Sequence, residues 1–196
     1  MKKSSNFAVD MQNELKKAVE VMRRGGVILY PTDTVWGIGC DATNANAIAR
    51  VYEIKRRVES KSMIVLVDSE AKVEGYVRGV PDIAWDLIEV ADKPLTIIYD
   101  NARNLPDNLV ADDGSIAIRI TKEQFSQQLC RMMRVPIVST SANVSGEPTP
   151  RNFFEISDEI LNAVDFVVDF RREEEVLPQP SSIIKLGSKG QVKVIR

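Results

Sequence analysis

The chain contains no histidine. That absence removes Ser-His-Asp triads, Cys-His dyads, histidine zinc sites and imidazole proton shuttles together. An enzyme built from this sequence must work by positioning, cations and hydroxyls, or through a carboxylate or a lysine. Cysteine is nearly absent as well. Cys40 and Cys130 have neither metal-ligand spacing nor the pattern of a disulfide framework, so they are expected to be reduced, buried thiols rather than reactive ones. No apolar run approaches the ~20 residues of a membrane span. Lys2 and Lys3 are followed by no apolar segment of secretory type, which makes a cytoplasmic protein the default. Neither a GxxxxGK motif nor GxGxxG occurs. The net charge of -2 lacks the basic excess of a nucleic-acid coat, so any anion binding must be local.

What is present suits one α/β domain spanning residues 1–196, with 1–8 as a flexible extension. The length of 196 residues lies within the prior of about 100–200 residues per domain. Met11, Leu15, Ala18, Val19 and Met22 recur at helical spacing, and Gly25-Gly26 stops that helix. Val27–Tyr30 reads as a buried strand and 31–41 as a loop with two glycines. Helices are expected over 44–55, 81–90, 122–134 and 157–164. Strands are expected over 63–67, 95–99, 115–120, 136–140, 166–168, 182–186 and 192–195, the last two joined by a hairpin turn at 187–190. The charge run Arg171-Arg172-Glu173-Glu174-Glu175 reads as a solvated loop. Strands alternating with helices predict an α/β fold: a twisted, mixed, open sheet with helices packed around it.

Four segments could carry chemistry. Pro31-Thr32-Asp33-Thr34-Val35-Trp36-Gly37-Ile38-Gly39 follows a buried strand, where α/β sheets tend to place ligands; it could equally be a polar turn bonded to its own backbone. Lys55-Arg56-Arg57 with Lys61 concentrates cations that can neutralise phosphates, or that simply end a helix. Arg119 stands alone in the apolar strand Ser115–Ile120, which demands either a structural partner or an anionic ligand. After the strand ending at Val138, Ser139, Thr140, Ser141, Asn143, Ser145 and Gly146 offer short side chains and backbone donors that can curl round an anion, or form a generic polar loop. Thr149 follows shortly after.

Taken together, Pro31–Gly39, Ile54-Lys55-Arg56-Arg57, Lys93-Pro94-Leu95-Thr96, Ile116-Ala117-Ile118-Arg119, Ser141-Ala142-Asn143-Val144-Ser145-Gly146 and Pro180-Ser181-Ser182-Ile183 resemble the YrdC-like family, the threonylcarbamoyl-AMP synthases. The resemblance runs from Leu15 onward. It implies a basic concave cavity, and an activity that makes L-threonylcarbamoyl-AMP and pyrophosphate from L-threonine, bicarbonate and ATP. It further implies Mg²⁺ with the ATP, tRNA-modification partner proteins, and tRNA or double-stranded RNA as a candidate ligand.

Carried over by position, the resemblance makes Lys55, Arg57 and Ser141 the catalytic residues. ATP would meet Arg57, Lys61, Ser115, Ser141, Asn143, Thr149 and Arg196. Threonine would meet Thr34, Arg119, Ser139 and Ser181, with Ser182 as the neighbouring alternative. This chain departs from the family pattern at Val58 and Ser62, where prolines are common, and at Leu66, where some members place a histidine. Asp92-Lys93-Pro94 replaces the common Pro-Gly-Pro, and Trp36 replaces tyrosine. The alternatives are an RNA-binding relative without synthase activity and a carbamoyl-transfer domain, whose larger hosts carry cysteine motifs that this chain lacks.

Overall fold

The computed structural model describes residues 2–58, 63–174, 180–187 and 190–196, with side chains from residue 10 onward. Lys61, Glu175 and the tip of the expected hairpin at 188–189 lie outside the described residues. The strands are β1 (Ile28–Tyr30), β2 (Gly37–Gly39), β3 (Ile64–Val67), β4 (Leu95–Tyr99), β5 (Ile116–Ile120), β6 (Ile137–Ser141), β7 (Phe166–Val167), β8 (Ser182–Leu186) and β9 (Val192–Val194). The helices are α1 (Lys2–Arg23), α2 (Ala45–Ile54), α3 (Val73–Tyr76), α4 (Ile83–Val90), α5 (Gln124–Met133) and α6 (Asp158–Ala163).

Among the described residues the strands form one nine-stranded sheet in the order β7-β1-β2-β6-β3-β5-β4-β8-β9. It is mixed. β3 runs parallel to β5, and β4 to β8, while β6 is antiparallel to both β2 and β3.

Side chains alternate across a strand, and the alternation separates two apolar layers. Leu29, Ile38, Val65, Val67, Ile97, Ile118 and Val138 pack with α2 and α4. Ile28, Tyr30, Leu66 and Ile137 face the other way, onto α1 and α5. Met11, Leu15, Ala18, Val19 and Met22 are all buried in that second layer, as the helical periodicity of α1 requires.

Two helix ends have matching geometry. At the end of α1, Gly26 N–H donates to the Val21 carbonyl and Gly25 N–H to Met22, both at 2.9 Å, with Gly25 at φ +81. At the end of α2, Arg57 N–H donates to Tyr52 and Arg56 N–H to Glu53, again both at 2.9 Å, with Arg56 at φ +48. Both are Schellman closures, but the second places arginine where glycine is usual. α2 opens on Asn44, whose side chain accepts from the N–H groups of Asn46 and Ala47.

Two sequence expectations need correction. The segment 31–41 is not all loop, because β2 lies inside it, paired with β1 and β6. Three residues, two of them glycine, leave no periodicity to read; the strand exists through its partners. Nor is the charge run at 171–175 merely solvated. Arg171 joins Glu123 at 3.0 Å and Glu174 at 2.7 Å, and Arg172 lies over the Phe153 ring, 4.7 Å from its centre.

Gly39 is fixed by space. A Cβ there would lie 2.6 Å from Tyr30 Cε1 and 2.7 Å from the Val138 carbonyl oxygen. Gly39→Ala must therefore spread β1, β2 and β6. Its expected cost is about 1–3 kcal/mol, as for other overpacked interiors, read as a lowered midpoint in urea unfolding; an unchanged midpoint would show that the strands yield freely.

Candidate functional site

The sheet's concave front holds a cavity of about 390 Å³. β5 contributes Ala117 and Arg119; β6 contributes Ser139, Thr140 and Ser141; the loop after β1 contributes Thr32 and Thr34. Arg57, Thr149, Ser181 and Arg196 complete its polar wall. Three arginines and no aspartate or glutamate line it. Arg57 and Ser141 also line an adjoining cavity of about 350 Å³, together with Lys55, Asn143, Ser145 and Gly146.

The register explains the convergence. Ile64 pairs with both Ser139 and Ala117, and Arg119 pairs with Thr96. Alternate residues of four neighbouring strands therefore face one hollow. Thr96 is fully buried, and its hydroxyl meets that of Ser181 at 2.9 Å, which fixes Ser181 at the cavity edge.

Arg119 is almost wholly buried, and its Nη2 lies 3.0 Å from Asp33 Oδ1. Its Nε makes no hydrogen bond among the described residues. Desolvation raises the Asp33 pKa above the usual carboxylate value, and Arg119 opposes that rise. Asp33 thus holds the arginine from behind and does not line the front cavity. Thr32 serves its own loop as well. Its hydroxyl donates to the Val35 carbonyl at 2.6 Å and accepts from Thr34 N–H at 3.1 Å. The turn and ligand-facing readings of this segment are compatible.

The cation cluster separates into different roles. Lys55 is buried, and its ammonium donates to the Ser141 and Asn143 carbonyl oxygens. Ser145 N–H returns a bond to the Lys55 carbonyl at 2.8 Å. Arg56 pairs with Glu159 at 2.6 Å on the surface. Arg57 faces both cavities, and burial lowers its pKa.

Asn143 lines the adjoining cavity, and its amide nitrogen donates to the Val144 and Glu147 carbonyls. Ser115 does not join the cavity walls. It shares a strand face with Ala117 and Arg119 but lies at the start of β5, where its N–H donates to Asp113 at 3.0 Å. Leu66 lies in the apolar layer against α5. Thr96 was assigned no role from sequence, whereas Thr32 and Thr140 were named only within candidate segments. For Thr96 the available signal was its place opposite Arg119, but that needed the register.

Burial pushes the Lys55 ammonium down from 10.5 to about 8, and the nearby Arg57 charge adds to the effect. The unfolded chain keeps this proton to about 10.4. Between those values the unfolded state binds more protons, so through this group stability rises with pH; below about 8 both states are protonated and the contribution is flat. The unfolding free energy of the wild type minus that of Lys55→Met is expected to increase across this window in urea titrations. A constant difference would remove Lys55 as the source.

The family profile Sua5/YciO/YrdC, described as telomere recombination, matches residues 20–196. A threonylcarbamoyl-AMP synthase of Stenotrophomonas maltophilia is 36% identical over 173 residues, covering 86% of this chain and 91% of that protein. Among solved structures, Escherichia coli YciO superposes with a TM-score of 0.82 at 25% identity, covering 94% of this chain and 89% of that one. Pyrococcus abyssi Sua5 complexed with L-threonine gives 0.84 at 24% identity, covering 93% of this chain but only 53% of that longer protein. Profile, sequence identity and fold agree over most of the chain, which belongs to the Sua5/YciO/YrdC family.

Proposed function

We propose that this chain is an L-threonylcarbamoyladenylate synthase. The observation that carries the reading is the paired cavity: hydroxyls and three arginines meet in one hollow, which continues through Arg57 and Ser141 into a second polar hollow. An amino acid fits the first, and a triphosphate extends along the second.

The chemistry suits a site without imidazole. The threonine amine adds to the bicarbonate carbon, and loss of water leaves a carbamate. A carbamate oxygen then attacks the α-phosphorus in line with the departing pyrophosphate, forming a mixed carboxylic–phosphoric anhydride. The nucleophile is already an anion, so the protein's work is positioning and charge neutralisation. Arg119 can fork the threonine carboxylate, with Thr34, Ser139 and Ser181 around it. Arg57, Ser141, Asn143, Thr149 and Arg196 suit the nucleotide, and Lys61 belongs to the same set by its position in the sequence. Lys55 acts through the loop it holds.

Mg²⁺ belongs to the substrate here. The cavity walls supply hydroxyls and guanidinium groups rather than carboxylates, and Mg²⁺ is commonly carried by phosphates and water. The product would pass to tRNA-modification partner proteins, which sets the enzyme in the cytoplasm. No helix among the described residues is long and apolar enough to cross a membrane. An RNA-binding module without chemistry would leave the hollow of hydroxyls around the buried Arg119 without a role.

Pyrophosphate release from Mg·ATP is expected to require both threonine and bicarbonate; release that ignores threonine, or no release by folded protein, overturns the reading. Arg119→Ala is expected to raise the KM for threonine about a hundredfold, because a buried charged partner is lost. Arg57→Ala should instead lower kcat/KM for ATP by about 10²-fold or more, a loss typical of removing one transition-state donor.

A further inference from the structure

Behind the sheet, on the side away from the front cavity, lies a second pocket of about 170 Å³. The alternation that sends Ala117 and Arg119 forward sends Ile118 and Ile120 backward, and Leu95, Ile97 and Tyr99 of β4 join them. Ile88 of α4 forms the opposite wall, so the interior is aliphatic and aromatic. Its rim is charged. Asp92 and Lys93, the pair where this sequence leaves the family pattern, stand at the mouth with Lys122 and Asp33. Asp92, Lys93 and Lys122 make no ion pair among the described residues, Lys122 donating only a long 3.5 Å bond to the Ala91 carbonyl, while Asp33 Oδ1 has Arg119 at 3.0 Å and no further hydrogen bond there.

Small-molecule pockets combine an apolar interior with a few polar groups that orient the ligand, commonly in about 300–1,000 Å³. This pocket is smaller and excludes a nucleotide. Two carboxylates and two lysines around an aliphatic slot match a zwitterion with a branched apolar tail. We propose that the rear pocket is a second ligand site, for an aliphatic α-amino acid, with its ammonium on Asp33 and Asp92 and its carboxylate on Lys93 and Lys122. Because Asp33 also holds Arg119, the occupant sits one residue away from the front cavity. Occupancy of this site does not rest on the function proposed above.

The test is calorimetric titration of the full chain with L-leucine, with and without saturating threonine. Isocaproate, which lacks the ammonium, and isoamylamine, which lacks the carboxylate, serve as controls. Leucine is expected to bind in both conditions, and each control about tenfold more weakly or worse, the cost of roughly one lost charge contact. Ala91→Trp fills the mouth, and Lys122→Glu reverses an exposed cation. Each should weaken leucine about tenfold or more and leave threonine binding unchanged. If the tryptophan variant does not fold, the surface Lys122→Glu variant decides. No leucine binding, displacement of leucine by threonine, or equal affinity in the variants overturns the proposal. Failure of threonine itself to bind would sink the synthase reading while leaving the leucine titration readable.

Discussion

The front of the molecule depends on one buried ammonium. Lys55 stands at the end of α2, and its Nζ reaches the carbonyls of Ser141, the last residue of β6, and of Asn143 just beyond it. The Ser141 carbonyl also accepts from Asn143 N–H at 2.9 Å, so the ammonium adds a second partner where the chain leaves the ladder. Ser145 N–H closes the circuit on the Lys55 carbonyl. A contact between residues far apart in sequence thus shapes the hydroxyl loop and fixes where Arg57 emerges. The desolvated lysine is itself unfavourable, as its lowered pKa records. It is retained because two carbonyls converge on a cavity that must stay open.

The same end of α2 carries backbone strain. Arg56 adopts the left-handed conformation at φ +48, which costs an L-residue roughly 1–2 kcal/mol. Its pair with Glu159 is half-exposed and offsets little of that. The geometry gained is a reversal in which Arg56 pairs with Glu159 at the rim of the adjoining cavity while Arg57 reaches both cavities. Lys55, Arg56 and Arg57 all border the adjoining cavity, yet Lys55 and Arg56 have different first partners, which the run of charge in the sequence could not show.

The fold was legible wherever periodicity was long enough. α1, α2, α5 and the apolar strands β3 to β6 fall where hydrophobic spacing puts them, and the family strings brought most of the site together in advance. What stayed hidden was set by partners. β2 is three residues held by β1 and β6. Thr96 supports the cavity only through its hydroxyl contact with Ser181, which follows from the register of β4 and β8. Arg171 looked like a solvated charge until α5 supplied Glu123, whose carboxylate also caps that helix by accepting from the N–H groups of Phe125 and Ser126. Sequence conveys the residue's chemistry but not which neighbour has first claim on it.

Arg119 shows why that distinction matters for function. A lone arginine inside an apolar strand needs a partner simply to be buried. Asp33 fills that need from one side through a single Nη2 contact at 3.0 Å. A guanidinium has five donors in a planar fork, so one carboxylate leaves much of its capacity unused. Nε, with no hydrogen bond among the described residues, belongs to that remainder. The arginine is thus held rigid by one carboxylate while lining a cavity suited to another. Structural partner and ligand contact, which looked like competing explanations of Arg119, are compatible: in the proposed function the first would orient the group in advance, so that the second need not immobilise it on binding.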